Sequence, residues 1–182
     1  MRIVSGIFKG RRFSPPPQIT ARPTTDFAKE SLFNVLNNRL DWDELCVLDL
    51  FAGTGSISYE FASRGAKRVV SIEMSDRHLT FIHKIIGELQ LGRIIHPFKM
   101  DVFRYIQQGK ERFDVIFADP PYMMKELELL PELVLNSNLL NEGGLFILEH
   151  SSKNNFSAHP LFLEHRGYGN VNFTLFAKPS VD

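Results

Sequence analysis

The segment Val47-Leu48-Asp49-Leu50-Phe51 holds four apolar side chains, and they fall on both faces of any extended conformation. A strand of that kind has to be covered on both sides, which is the situation of a strand inside a helix-covered parallel sheet. From Leu45 onward, short apolar runs of this type alternate with amphipathic segments. Strands are predicted at 46–50, 68–72, 94–99, 115–118, 145–149 and 171–176, with helical segments at 57–63, 76–89, 102–107 and 125–135. Strand–helix alternation specifies an α/β fold, an open and mostly parallel sheet whose ligands sit at the carboxyl ends of the strands.

Ahead of this sheet, which is placed at 45–178, lies a different kind of chain. Residues 2–13 contain two short β-prone runs broken by glycines, the pattern of a β-hairpin. Pro15-Pro16-Pro17 then makes an extended connector. Arg22-Pro23-Thr24-Thr25-Asp26 offers a helix start, and Phe27, Ala28, Leu32, Val35 and Leu36 follow at helical spacing to about Leu40. Residues 1–40 thus form an appendage within a single domain of 182 residues, a length that buries roughly 70% of the unfolded chain's surface without a staple.

Charge is distributed unevenly between these parts. The chain has 21 basic and 21 acidic side chains, yet residues 1–30 carry six basic and two acidic ones, a net +4 that leaves −4 for the rest. A basic arm on an acidic body suits a polyanion-binding edge. The single cysteine, Cys46, excludes a disulfide framework and a multi-cysteine metal site, and the six histidines show no repeated metal-ligand spacing. No apolar run of about 18 residues is present, and the opening residues lack the apolar stretch of a signal peptide. A cytoplasmic monomer without a metal is expected.

Two motifs carry chemistry. Asp49-Leu50-Phe51-Ala52-Gly53-Thr54-Gly55 follows the first sheet strand and precedes a helix, so Gly53 and Gly55 allow a tight turn and close approach of a cofactor. Ser58 stands where a dinucleotide fingerprint has its third glycine, and no Lys-Ser/Thr follows as in a phosphate-cradling loop. Glu73 ends the next strand, where a carboxylate can accept ribose hydroxyls, and Asp101 ends the third, within reach of an adenine amine. Three acids, Asp49, Glu73 and Asp101, are expected along one edge. That edge repels a pyrophosphate and tolerates a sulfonium and an ammonium, favouring S-adenosylmethionine over a nicotinamide dinucleotide. Each acid also has a simpler use, as the cap of the helix that follows it.

The second motif is Asp119-Pro120-Pro121-Tyr122 at the end of the fourth strand. Consecutive prolines stop the sheet and hold a fixed loop. Tyr122 suits stacking on a planar base, while Asp119 and the Pro120 carbonyl can each accept one hydrogen of an exocyclic amine. Such bonds draw the nitrogen lone pair out of conjugation and aim it at a methyl donor.

Asp-Pro-Pro-Tyr together with the glycine loop resembles class I S-adenosylmethionine-dependent amino-methyltransferases. The opening Arg2-Ile3-Val4-Ser5-Gly6, then Lys9-Gly10-Arg11-Arg12, Arg22-Pro23-Thr24, Lys29-Glu30-Ser31-Leu32-Phe33-Asn34, Ala62-Ser63-Arg64-Gly65-Ala66 and Tyr168-Gly169-Asn170 are similar to the 16S rRNA guanine-N2 methyltransferase family called RsmD. The resemblance covers nearly the whole chain and implies a Rossmann-like sheet of seven strands. It further implies one methyl transferred to a guanine N2 of 16S rRNA, within the small ribosomal subunit or an assembly intermediate. By position it gives Asp49, Phe51, Gly53, Gly55, Glu73, Met74, Asp101 and Val102 to the cofactor, with Met74 and Val102 sandwiching the adenine. Asp119, Pro120, Pro121 and Tyr122 hold the guanine, and Lys9, Arg11, Arg12 and Arg22 touch rRNA phosphates. Phe8 and Phe13, in the same arm, are further candidates for RNA contact.

Three other readings are weighed against this one. They are an amino-methyltransferase on DNA adenine N6 or a protein glutamine, a nicotinamide-dependent oxidoreductase, and a catalytically silent RNA-binding module. The Arg-Pro-Thr arm disfavours the first, the missing glycine and acidic edge the second, and an intact Asp119–Tyr122 motif the third.

Overall fold

The computed structural model describes residues 1–17, 19 and 25–180. Seven strands form one sheet: β1 Cys46–Leu50, β2 Arg68–Glu73, β3 Ile95–Lys99, β4 Phe113–Ala118, β5 Leu140–His150, β6 Phe162–Tyr168 and β7 Val171–Ala177. Their order is β3-β2-β1-β4-β5-β7-β6. Strands β3, β2, β1, β4 and β5 pair in parallel, and β7 runs antiparallel between β5 and β6. The chain is thus the seven-stranded, mostly parallel α/β fold expected.

Alternate residues of each central strand feed two cores. Val47, Val69, Val115, Phe117, Leu145 and Ile147 face helices α1 Asp26–Asn37, α2 Ser56–Ser63 and α3 Asp76–Leu89. Leu48, Leu50, Val70, Ile116, Phe146 and Leu148 face α4 Val102–Gln108 and α5 Leu130–Leu135. This burial on both faces is what the apolar run at β1 demands.

Several boundaries differ from the sequence expectation for physical reasons. Pro97 is tolerated inside β3 because β3 lies at a sheet edge, where a missing N–H can face away from the ladder. Strand β5 begins five residues before its apolar run. Gly143, at φ 73°, and Gly144 form an irregularity within it rather than a turn, and a Cβ on Gly144 would lie 2.8 Å from the Asn141 carbonyl oxygen. Strand β6 has no counterpart among the predicted strands. It is the other edge, and its Glu164, His165 and Arg166 give it the polar character that discourages edge-to-edge pairing while hiding the strand signal. The helix expected at 125–135 is a 3-10 turn, Leu127–Leu129, running into α5.

The N-terminal arm is hairpin-like: around an antiparallel bridge of Arg2 to Arg12, the Ile3 and Phe13 N–H groups donate to the Arg11 and Met1 carbonyls at 3.0 and 3.1 Å. Ile3 and Phe13 are buried in the same core as α1 and α2. Beneath the arm lies a buried ionic network. The Lys29 ammonium, 1% exposed, donates to the Arg2 carbonyl at 2.5 Å and to Ser56 Oγ at 3.2 Å, and stands 3.7 Å from Glu60 Oε2. Glu60 in turn accepts the backbone N–H groups of Val4 and Ser5 at 2.9 and 3.0 Å and the Arg64 guanidinium at 3.0 Å. A lysine of the basic arm is therefore an internal tie between arm, α1 and α2.

Candidate active site

The chain leaves β1 through a loop with three left-handed residues, Phe51, Gly53 and Gly55, at φ 62°, 56° and 81°. Phe51 is not a glycine, so its backbone is strained, and the strain sits where the loop faces a cavity. The loop is held by the Ala52 N–H on the Ile72 carbonyl at 2.9 Å and the Gly55 N–H on the Ala52 carbonyl at 2.8 Å. The two glycines do different work. A Cβ on Gly53 would meet nothing closer than 3.9 Å, leaving its surface open. One on Gly55 would run into the Tyr59 ring at 2.6 Å and Ile82 at 3.2 Å, so Gly55 permits close packing of the loop on α2 and α3.

A cavity of about 730 Å³ opens at the carboxyl ends of β1, β2, β4 and β5. Its lining includes Phe51, Gly53, Glu73, Met74, Asp101 and Val102 on one side and Asp119, Pro120, Pro121, Tyr122 and Glu149 on the other. The two motifs, about 70 residues apart in sequence, thus share one space because β1 and β4 are adjacent parallel strands.

The acids are not equivalent. Glu73 accepts the Gly53 N–H at 2.8 Å through Oε2, and the Met74 and Ser75 N–H groups at 2.8 Å through Oε1. His78 Nδ1 stands 3.2 Å from Oε2. Asp101 caps α4 by accepting the Arg104 N–H at 2.9 Å through Oδ1, and the same residue lines the cavity. Capping and cavity-facing roles therefore coexist at Asp101.

Asp49 departs from the expected edge. It is 1% exposed and is absent from the cavity wall; it lies under the loop and accepts the Ser58 hydroxyl at 2.5 Å. Ser58 Oγ also lies 2.7 Å from Ser71 Oγ. Burial pushes the Asp49 carboxyl up to about 7, opposed by the Ser58 bonds and reinforced by the charge of Glu73. Gly55, like Asp49, supports the loop from behind rather than lining the cavity.

At the opposite wall, Tyr122 Oη donates to Glu149 Oε1 at 3.1 Å, which fixes the phenol ring from the end of β5. Burial raises the Asp119 carboxyl well above its ordinary range, with the negative charges of Glu149 and then Asp49 adding to the effect. The cavity therefore carries the carboxyl groups of Glu73, Asp101, Asp119 and Glu149, and among the described residues no lysine or arginine lines it. Such a space favours a ligand bearing positive charge and an uncharged base with hydrogens to donate.

Sequence reasoning misses Glu149 and His78. Glu149 has a usable signal, an acid closing an apolar strand run, Leu145-Phe146-Ile147-Leu148. His78 has none, since its place beside Glu73 depends on the first turn of α3.

In the arm, Lys9, Arg11 and Arg12 are exposed and form no ion pair among the described residues. Arg2 pairs with Asp26 at 3.2 Å. Arg22 lies outside the described residues. Phe13 is 7% exposed, its ring centroid 6.1 Å from that of Tyr59, so it belongs to the core rather than to an RNA-facing surface. No three His, Cys, Asp or Glu side chains are grouped as metal ligands among the described residues, and no helix there is long and apolar enough to cross a membrane.

Comparison with known proteins places this arrangement among relatives. Residues 1–177 match the model of a family described as Conserved hypothetical protein 95. The ribosomal RNA small subunit methyltransferase D of Haemophilus influenzae is 31% identical over 153 residues, 82% of this chain and 78% of that protein. The protein of the same name from Escherichia coli K12 is 30% identical over 162 residues, 88% and 79% of the two chains. Among solved structures, a hypothetical protein of Thermus thermophilus superposes with a TM-score of 0.81 at 32% identity, covering 100% of this chain and 99% of its own.

Proposed function

This chain belongs to the Conserved hypothetical protein 95 family, the RsmD family, and from that membership we propose that it is an S-adenosylmethionine-dependent methyltransferase of 16S rRNA that places one methyl on the exocyclic N2 of a guanine. The observation that carries the reading is the pairing, in one cavity, of an open glycine turn beside Glu73 with the Asp119–Tyr122 wall. We take the protein to act as a cytoplasmic monomer, with residues 1–40 as the RNA-binding part of a single catalytic unit.

The donor set fits the cofactor. Glu73 and Asp101 supply acceptors for hydroxyls and an amine, Met74 and Val102 supply apolar faces for the adenine, and Gly53 leaves room for the methionine end. When bound, S-adenosylmethionine supplies an electrophilic methyl on a sulfonium, whose positive charge is at home between these carboxylates. Phe51 closes the floor of the cavity. Asp49 and Gly55 act from behind, holding the loop that presents Gly53.

On the other wall, Tyr122 holds the guanine plane, with its hydroxyl anchored on Glu149. Asp119 and the Pro120 carbonyl accept the two amine hydrogens, which localises the nitrogen lone pair and directs it along the attack line. Positioning of this kind contributes several kcal/mol to barrier lowering. The nitrogen loses a proton once it carries the methyl, and a carboxylate whose pKa is raised is a better receiver of that proton. The base reaches the cavity unpaired or flipped from its helix. Lys9, Arg11, Arg12 and Arg22 meet phosphates, which positions the RNA without reading its sequence.

Calorimetric titration tests the cofactor half of this reading. S-adenosylmethionine and its demethylated product bind with one site per chain, and a nicotinamide dinucleotide produces no heat. Tight dinucleotide binding without S-adenosylmethionine binding would overturn it.

A further inference from the structure

Helix α1 turns Ala28, Leu32, Phe33 and Leu36 into the core, and the periodicity of the segment puts Phe27 with them. The structure does not. Phe27 is 69% exposed at the first turn of α1, and the aromatic residue of the arm that is buried is Phe13. Among the described residues the Phe27 ring meets one other ring, Tyr168, edge to face, with centroids 5.9 Å apart and planes at 87°. Tyr168 ends β6, beside Val171 at the start of β7. Because β7 runs antiparallel to β5, this is the end of the sheet at which β5 closes with Glu149 and His150 and the cavity opens. The sheet order puts β6 two strands from β5, roughly 10 Å across the ladder.

The aromatic pair also adjoins the basic arm. Asp26, next to Phe27 in the chain, pairs with Arg2, and Arg2 bridges to Arg12. Arg12 and Asp26 line a common cleft between the arm and the start of α1. An exposed ring buttressed by a second ring, with the exposed Arg12 cation in the cleft at the start of the same helix, combines a stacking face with a phosphate contact, which is how single-stranded nucleic acid is held without sequence reading.

We propose that Phe27, backed by Tyr168, is a stacking platform for an unpaired base of the substrate RNA lying next to the target nucleotide. The proposal rests on the rRNA reading above and adds a binding residue to it. The platform holds the strand on the near side of the cavity while Tyr122 holds the target base inside. Phe27 acts on substrate binding and not on the reacting atoms, so its loss is felt in KM.

The test uses the full-length enzyme and three variants, Phe27→Ala, Phe27→Leu and Phe27→Trp. Methyl transfer is measured on small ribosomal subunits lacking the modification. Binding is measured with a single-stranded 12-nucleotide RNA carrying 2-aminopurine, whose fluorescence is quenched by stacking. The expected result is a KM about tenfold higher for Ala and Leu, near wild-type for Trp, with quenching lost in the first two and kept in the third. Cofactor affinity stays within twofold throughout. Unchanged KM and unchanged quenching in Phe27→Ala overturn the proposal. A raised KM with undisturbed oligonucleotide binding also overturns it, because the surface then docks a ribosomal protein. If no variant nor the wild type methylates the particles while quenching still depends on Phe27, the platform stands and the rRNA methylation reading fails.

Discussion

The Glu73 carboxylate accepts the Gly53 amide at 2.8 Å, so the end of β2 holds the tip of the loop that leaves β1. Two further amides, of Met74 and Ser75, bond the other oxygen. One side chain thereby shapes the glycine turn and presents negative charge to the cavity. Glu73→Ala is expected to weaken S-adenosylmethionine binding by about tenfold to a hundredfold, the loss of one or two hydrogen bonds to a charged group. Calorimetry checks this, and affinity within twofold of wild type would remove Glu73 from the cofactor site.

Asp119 gives a pH prediction. Its carboxyl is raised by burial and by the charges of Glu149 and Asp49, and in the proposed role it is the ionised form that accepts an amine hydrogen. The acid limb of kcat/KM is therefore expected above the ordinary carboxylate range. Glu149→Gln removes the negative charge that acts most strongly on Asp119 and moves that limb to lower pH. A limb that does not move would show that Asp119 is not the titrating group. Asp119→Ala is expected to abolish turnover with cofactor affinity nearly intact, measured by methyl incorporation and calorimetry.

Asp49 gives a stability prediction of definite sign. Its folded-state value near 7 lies above the usual carboxylate value, so its contribution to stability is fully present below about pH 4 and is lost as pH rises to 7. Above that pH the buried charge costs on the order of 4 kcal/mol. Asp49→Asn, which keeps an acceptor for Ser58, is expected to be more stable than wild type at pH 8 and no more stable at pH 4. Urea unfolding at the two pH values checks it.

Much of this arrangement is legible in the chain because it rests on local signals. The apolar run of β1, the glycines after it and the proline pair after β4 each impose their conformation on a few neighbours. What is not legible depends on distant packing. Lys29 reads as part of a basic arm until Glu60, 31 residues on, is seen to bury it. Phe27 reads as a core residue until α1 is docked and turns it outward. Asp49 reads as a cavity acid because it shares a motif with Gly53, yet in a strand consecutive side chains point to opposite faces, and its own points to Ser58 and Ser71. Strand β6 shows no alternation because an edge strand carries charge.

The buried network under the arm gives a further test. Lys29→Met leaves Glu60 buried with only Arg64 and two amides for company. A loss of about 3 kcal/mol is expected, read from urea unfolding, with part of it recovered by adding Glu60→Gln. A loss under 0.5 kcal/mol would mean that the pair does not tie the arm to α2.

The exposed cations of the arm are separable from this network. Replacing Lys9, Arg11 and Arg12 by glutamine is expected to raise KM for the RNA substrate. It should also reduce the salt dependence of binding by about one logarithmic unit of slope for each phosphate no longer neutralised. Stability should stay unchanged, since none of the three forms an ion pair among the described residues.

The deciding measurement is transfer of labelled methyl from S-adenosylmethionine to small ribosomal subunits that lack the modification, with naked 16S rRNA in parallel and the label mapped. One methyl on a guanine N2 is expected, incorporated by the wild type and not by Asp119→Ala. Label on an adenine N6, on protein, or on no component of the particle while the enzyme still binds S-adenosylmethionine would contradict guanine-N2 methylation of 16S rRNA by this protein.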